Sequence, residues 1–189
     1  MPADVPSPSR VFRALGLSPA FPDNAAVRAA QARGRAVHLA IQYAQEGTLD
    51  EGTVPAPALP FYAAWRRFVD ECGWTPVAIE QDTYHASLPY HGIIDAIGHV
   101  GDEDMPSVVD WKTGDSFDPT YWWQVACYGG AWNSAPARPQ IREHRTVCLS
   151  KDGTYRIKTM TPQERLDAWQ EWVAVLRVYH LKARLGRLD

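Results

Sequence analysis

Three strand signals in succession, Pro76 to Tyr84, Tyr90 to Val100 and Ser107 to Lys112, constrain the fold of this chain more than any other feature. They are separated by His85-Ala86-Ser87 and by the acidic turn Gly101-Asp102-Glu103-Asp104, both short and built of turn formers. Connections of that length return the chain on itself, so the three strands form an antiparallel meander. Two more strands, Ile141 to Ser150 and Thr154 to Met160, flank Lys151-Asp152-Gly153, a hairpin signal. In the second of them Tyr155, Ile157 and Thr159 alternate with Arg156 and Lys158.

Helical segments surround these strands. Asn24 is a fair N-cap for Ala25 to Gln45, whose apolar side is Val27, Ala30, Val37 and Ile41, with Gly34 hinting at close packing. Phe61 to Cys72 follows the loop Gly47 to Pro60 and buries Phe61, Ala64, Trp65 and Phe68 until Gly73 stops it. Asp118-Pro119 opens a helix running through Trp122, Trp123, Val125 and Tyr128 towards Trp132. Thr161-Pro162-Gln163-Glu164 is a capping box that opens the last helix, through Leu166, Trp169, Val173 and Leu176. Residues 1–23, rich in Pro and small residues, read as an arm with at most a short turn of helix around Val11 to Leu15. With 189 residues in all, the order helix, helix, three strands, helix, two strands, helix predicts one α/β domain over 24–189, with helices packed on a mixed sheet.

No apolar run approaches the length of a membrane span, and Met1 to Pro8 lacks the pattern of a secretory signal, so a cytoplasmic protein with no membrane partner is expected. Cys72, Cys127 and Cys148, widely spaced and without a CxxC pair, read as buried thiols. A net charge of -3 argues against a nucleic-acid partner, yet basic residues cluster at Arg28, Arg33 and Arg35, at Arg138, Arg142 and Arg145, and at Arg177, Lys182, Arg184 and Arg187. Each cluster is either a local field for phosphates or plain solvated surface.

The chemistry concentrates between Glu80 and Tyr128. In the strand Val108-Val109-Asp110-Trp111-Lys112, alternation puts Val108, Asp110 and Lys112 on one face, and Thr113-Gly114 ends it with turn chemistry. Asp95 lies in an apolar strand, where an ionised carboxylate needs a partner. If the second and third strands are neighbours, Asp95 approaches Asp110, and two carboxylates alone repel. A divalent cation resolves the conflict, and oxygen ligands suit Mg2+ or Mn2+, either of which activates water and offsets charge on a phosphate. The competing reading makes each aspartate a buried turn cap.

Gly34-Arg35-Ala36-Val37-His38, Glu80, Gly92-Ile93-Ile94-Asp95, Asp110-Trp111-Lys112 and Gln124-Val125-Ala126-Cys127-Tyr128 together resemble the RecB-like branch of the PD-(D/E)XK nuclease superfamily. The resemblance implies a restriction-endonuclease-like mixed sheet flanked by helices. It implies that Asp95 and Asp110 hold the metal with the Trp111 carbonyl and His38, that Lys112 positions or polarises the attacking water, and that Glu80 is an acid near the metal. Gln124 and Tyr128, one turn apart on a helix, would touch the substrate or the lysine, and Arg35 would meet DNA. Ile94 stands where the superfamily's nominal proline precedes the aspartate. Some relatives carry an iron-sulfur cluster on four cysteines; three misplaced ones imply no cluster here. With no Walker A motif, any helicase or ATPase activity lies in a recombination or helicase partner protein. The resemblance thus implies a Mg2+- or Mn2+-dependent deoxyribonuclease acting on DNA, of the exonuclease kind that phages and bacteria use in recombination or processing. A nuclease-fold module that binds DNA or protein without cutting is the alternative, and a metal-free hydrolase using paired carboxylates is a third reading. His38 and Glu80 keep bland readings too, as a structural histidine and a solvated charge, and Trp122 and Trp123 read as core aromatics.

Overall fold

The computed structural model describes residues 5–18 and 22–188; residues 1–4 and 19–21 of the expected arm, and with them part of the stretch read for a signal, lie outside it. Within the arm, Ser7 caps a helix α1 (Pro8–Ala14), longer than the turn expected from the sequence, because Val11 and Phe12 find a place in the core. Phe12 packs 5.6 Å from the Trp123 ring and 5.5 Å from that of Trp172.

The remaining elements are α2 (Ala25–Gln45), a 3-10 turn (Glu51–Thr53), α3 (Leu59–Cys72), β1 (Trp74–Tyr84), β2 (His91–Val100), β3 (Ser107–Thr113), α4 (Pro119–Asn133), β4 (Glu143–Leu149), β5 (Tyr155–Thr159) and α5 (Pro162–Arg184). The expected caps are present. Asn24 Oδ1 accepts from the Val27 amide at 2.9 Å, Asp118 Oδ1 from Thr120 at 2.8 Å, and Thr161 and Glu164 close the capping box.

The strands form one sheet in chain order, β1-β2-β3-β4-β5. β1, β2 and β3 are the expected antiparallel meander; α4 then carries the chain over so that β4 runs parallel to β3, and β5 turns back antiparallel to β4. One face is covered by α1, α4 and α5, through residues such as Phe12, Val125, Tyr128 and Trp172 against Ile94, Ile97 and Val108. The other is covered by α2 and α3, with Val37, Ile41, Trp65 and Phe68 against Val109, Trp111 and Val147. The result is a three-layer α/β fold of one domain. Among the described residues no helix is long and apolar enough to cross a membrane.

Three expectations need correction. Only the second half of α2 is core: Val37, Ala40 and Ile41 are buried, whereas Val27 and Ala30 are half-exposed. On α5 the buried stripe is Ala168, Trp172, Leu176 and Tyr179, and Leu166 is exposed, because α1 and α4 together set which side is covered. Arg138, Arg142 and Arg145 make no common basic patch. Strand register takes Arg145 inside, where its guanidinium pairs with Glu103 and Ser107, and Arg138 stacks 4.3 Å from the Trp132 ring.

Candidate active site

β3 pairs with β4 along its whole length but with β2 over only three rungs, Ala96↔Val109, Ile97↔Val108 and Gly98↔Ser107. Beyond Val109 the two strands part, and side chains take over the backbone groups left unpaired. The Trp111 amide donates to Asp95 Oδ2 at 2.9 Å, and the Trp111 carbonyl oxygen lies 2.9 Å from His38 Nε2 on α2. His38 Nδ1 in turn stands 3.6 Å from Asp95 Oδ1. α2 can come this close because Gly34, one turn before His38, faces Thr113 with only 3.4 Å to spare for a Cβ.

Glu80 enters from β1, between the rungs Ile79↔Ala96 and Gln81↔Ile94. It is the one described non-glycine residue with positive φ, at 45°. Such a backbone costs on the order of 1–3 kcal/mol and gathers at functional sites. The neighbouring strand changes phase at the same place: Ile94 and Ile97 both belong to the α4/α5 side of the core, while Ala96 belongs to the other. The kink brings Glu80 to Asp95 and His38, and one ligand atom from each of the three lies within 4.8 Å of the others. Burial, reinforced by Asp95, pushes the Glu80 carboxyl up to about 7.

Asp110 and Lys112 project from β3 on the face towards α4, as alternation predicts. Asp110 is 1% exposed, and Lys112 Nζ sits 2.8 Å from both of its oxygens, hydrogen-bonding Oδ1 while Oδ2 is left without a hydrogen-bond partner. Burial pushes the Asp110 carboxyl up to about 6 despite Lys112, and the Asp95 charge adds to the rise. Burial would lower the Lys112 ammonium, but the charges of Asp110 and Asp95 outweigh it and hold the amine protonated. A second bond at 3.0 Å to Gln124 Oε1 fixes that ammonium, and Gln124 Nε2 donates to the Tyr128 hydroxyl at 2.8 Å. The amide orientation is forced, since a lysine can only donate.

All nine residues singled out by sequence therefore lie at one place. His38, Glu80 and Asp95 form one group, Asp110 and Lys112 a second joined to it through Trp111, and Gln124 and Tyr128 brace the lysine. Arg35 is exposed and lines a groove of about 400 Å3 with His38, Leu39 and Glu80. Of its neighbours in sequence, Arg28 is tied to Asp23 at 2.5 Å and Arg33 stacks over Phe61. One contributor escaped the sequence reading, and another was visible only as part of a motif. Tyr121, three residues before Gln124 on α4, sets its ring 4.9 Å from Lys112 Nζ, and Gly92 gives the Tyr128 ring room.

The donors fit a divalent cation. Two carboxylates and an imidazole converge, and the buried Asp110 carboxylate of the adjoining group keeps one oxygen without a hydrogen-bond partner. A mixed nitrogen and oxygen set suits first-row divalent ions such as manganese as well as magnesium.

The sequence matches the model of the PD-(D/E)XK nuclease superfamily over residues 53–185. It matches no curated protein. Among solved structures, the fold superposes with a TM-score of 0.54 on a Eubacterium rectale protein named "Putative exonuclease", at 11% identity, covering 95% of this chain and 74% of that one. An alkaline exonuclease from Laribacter hongkongensis covers 97% of this chain and 94% of its own length at 16% identity, with a TM-score of 0.41, and 0.44 for its complex with dAMP. At 11% identity the likeness to the Eubacterium rectale protein is one of fold.

Proposed function

The chain belongs to the PD-(D/E)XK nuclease superfamily, and on that premise we propose that it is a divalent-metal-dependent deoxyribonuclease of the RecB-like branch, an exonuclease that hydrolyses DNA from its ends. The observation that carries this reading is a buried lysine pinned by Asp110 and Gln124 beside the converging donors His38, Glu80 and Asp95. His38, Asp95, Asp110 and the Trp111 carbonyl would hold Mg2+ or Mn2+, with Glu80 as a further carboxylate. The ion supplies an activated water and charge neutralisation at the phosphate.

The chain does the rest. Lys112, kept charged by its carboxylate neighbours, is the donor that orients the attacking water and offsets negative charge as the phosphorus gains its fifth oxygen. Gln124 and Tyr128 keep the ammonium from collapsing wholly onto Asp110, and Arg35 meets the backbone of the incoming strand. An enzyme of this kind works in the cytoplasm of a bacterial or phage-infected cell, with any unwinding supplied by a helicase or recombination partner.

The test is incubation of the protein with end-labelled linear DNA and with closed circles, in manganese, magnesium or excess chelator. Linear DNA should shorten from its ends with metal, circles should persist, and chelator should stop the reaction. Cleavage in chelator overturns the metal mechanism, nicked or opened circles replace exonuclease by endonuclease, and intact DNA under all conditions leaves a module that binds without cutting.

A further inference from the structure

Strand register extends the active face across the sheet. Lys112 pairs with Cys148, which pairs with Arg156; Asp110 pairs with Thr146, which pairs with Lys158. Paired residues share a face, so Arg156 and Lys158 on β5 lie on the same side of the sheet as Asp110 and Lys112, two strands or about 10 Å away. The loop after β3 and the start of α4 arch over the same row. Phe117 sits 5.5 Å from the Arg156 guanidinium and 6.0 Å from Lys158 Nζ, and Lys158 Nζ lies 3.8 Å from the Trp122 ring.

These two cations are held differently from the arginines that pair with carboxylates. Arg28, Arg66, Arg67, Arg145 and Arg165 are each within ion-pair distance of a carboxylate. Arg156 and Lys158 rest on aromatic rings instead, and no carboxylate comes within ion-pair distance of either among the described residues. A cation-π contact fixes a cation in place without cancelling its charge. Phe117, Trp122 and Lys158 also line a groove of about 450 Å3 whose opposite wall, on α5, carries Glu164, Asp167 and Glu171. The groove thus sets one cation and its rings against three carboxylates, so a polyanion is held off α5 and meets β5 at Lys158 and Arg156 on the rim rather than inside the groove.

We propose that Phe117, Trp122, Arg156 and Lys158 form a track that binds the phosphate backbone of one DNA strand next to the scissile position. The proposal rests on the nuclease reading and gives it a direction: Thr146 and Cys148 between the two pairs are buried, so the strand leaves the site around the outside of the loop after β3 and reaches Arg156 and Lys158 on β5. Half-buried rings beside cations combine stacking surface with positive charge, the arrangement used for single strands without sequence preference.

The test measures binding of a fluorescent single-stranded oligonucleotide in chelator, over a range of salt, to the wild type, to the R156Q/K158Q double variant and to the charge-keeping R156K/K158R. Both side chains are on an edge strand, and melting temperature checks that each variant is folded. The glutamine variant should bind about 10-fold or more weakly at low salt. Its log-affinity against log-salt slope should fall by about 1.4, the share of two phosphates on a single strand. The charge-keeping variant should retain both, and in metal the loss should appear in KM while manganese affinity is unmoved. An unchanged slope in the glutamine variant overturns the track, as does equal loss in both variants. Wild-type binding without cleavage in metal would instead remove the nuclease reading while the track is judged on binding alone, and absence of binding removes both.

Discussion

Gly92→Ala puts the smallest available perturbation behind the lysine. A Cβ there would lie 2.6 Å from Tyr128 Cε1 and 3.1 Å from Cδ1, so the buried ring has to retreat by roughly 1 Å to regain ordinary carbon-carbon contact. The Tyr128 hydroxyl is 2.8 Å from Gln124 Nε2, and a shift of that size breaks the bond and frees Gln124, whose other end holds Lys112. Overpacking by one methyl costs about 1–3 kcal/mol and the lost hydrogen bond about 1 kcal/mol. For a chain of this size that is a fall in Tm of about 5–12 °C. Cleavage should drop by about 10- to 100-fold, the usual consequence of a positioning group displaced by an ångström, while manganese affinity stays near wild type. Thermal melts, manganese titration and cleavage rates are compared for Gly92→Ala, Tyr128→Ala and the double variant. In the double variant the clash has no partner, so Gly92→Ala should add almost nothing there. A Gly92→Ala protein that melts like wild type, or that loses as much stability without Tyr128 as with it, refutes the reasoning.

Three further outcomes follow from the structure. Asp110→Ala should lose both manganese binding and cleavage, whereas Lys112→Ala should bind manganese at least as well and cut ~100-fold or more slowly, as calorimetry and cleavage assays of the folded variants will show; near wild-type cutting by Lys112→Ala removes the catalytic role given to the lysine. His38→Ala should weaken manganese binding and recover part of its activity with excess manganese, and an unaltered metal dependence would make His38 a structural residue. Burial, with Arg165 nearby, holds His144 down at about 4, below its unfolded value near 6.5, so its contribution to stability is present above pH 6.5 and lost as pH falls towards 4. The loss is on the order of 3 kcal/mol, and denaturation curves for wild type and His144→Gln should converge or cross over that window; parallel curves would show that His144 titrates normally.

What could be read from the sequence was whatever depends on neighbours in the chain. Caps at Asn24, Asp118 and Thr161, the meander and the β4–β5 hairpin are local chemistry, and the elements appear within a few residues of their expected bounds. The face shared by Asp110 and Lys112 follows from alternation. Missed were the features set by distant partners. Arg145 seemed to belong with Arg142 until Glu103, 42 residues earlier, claimed it. Val11 and Phe12 looked like part of a loose arm because nothing near them announces Trp172. Glu80 is singled out from the sequence as an acid near the metal, but its kink is not, since a positive φ at a glutamate leaves no mark in composition. Gly92 was visible as part of a motif, but its reason is an aromatic ring 36 positions on.

The parallel join between β3 and β4 also orders the assembly of the molecule in time. Every other strand contact links neighbours through a short turn, so β1 to β3 and β4 to β5 can each pair early, while β3 and β4 must wait for α4 to bridge them, the slow kind of closure. His38, Glu80, Asp95 and Asp110 all precede that bridge in the chain; Gln124, Tyr128, Arg156 and Lys158 lie on it or beyond it. The donors proposed for the metal therefore lie in the part of the chain that precedes the slow closure, and the brace of the lysine and the proposed track in the part that completes it.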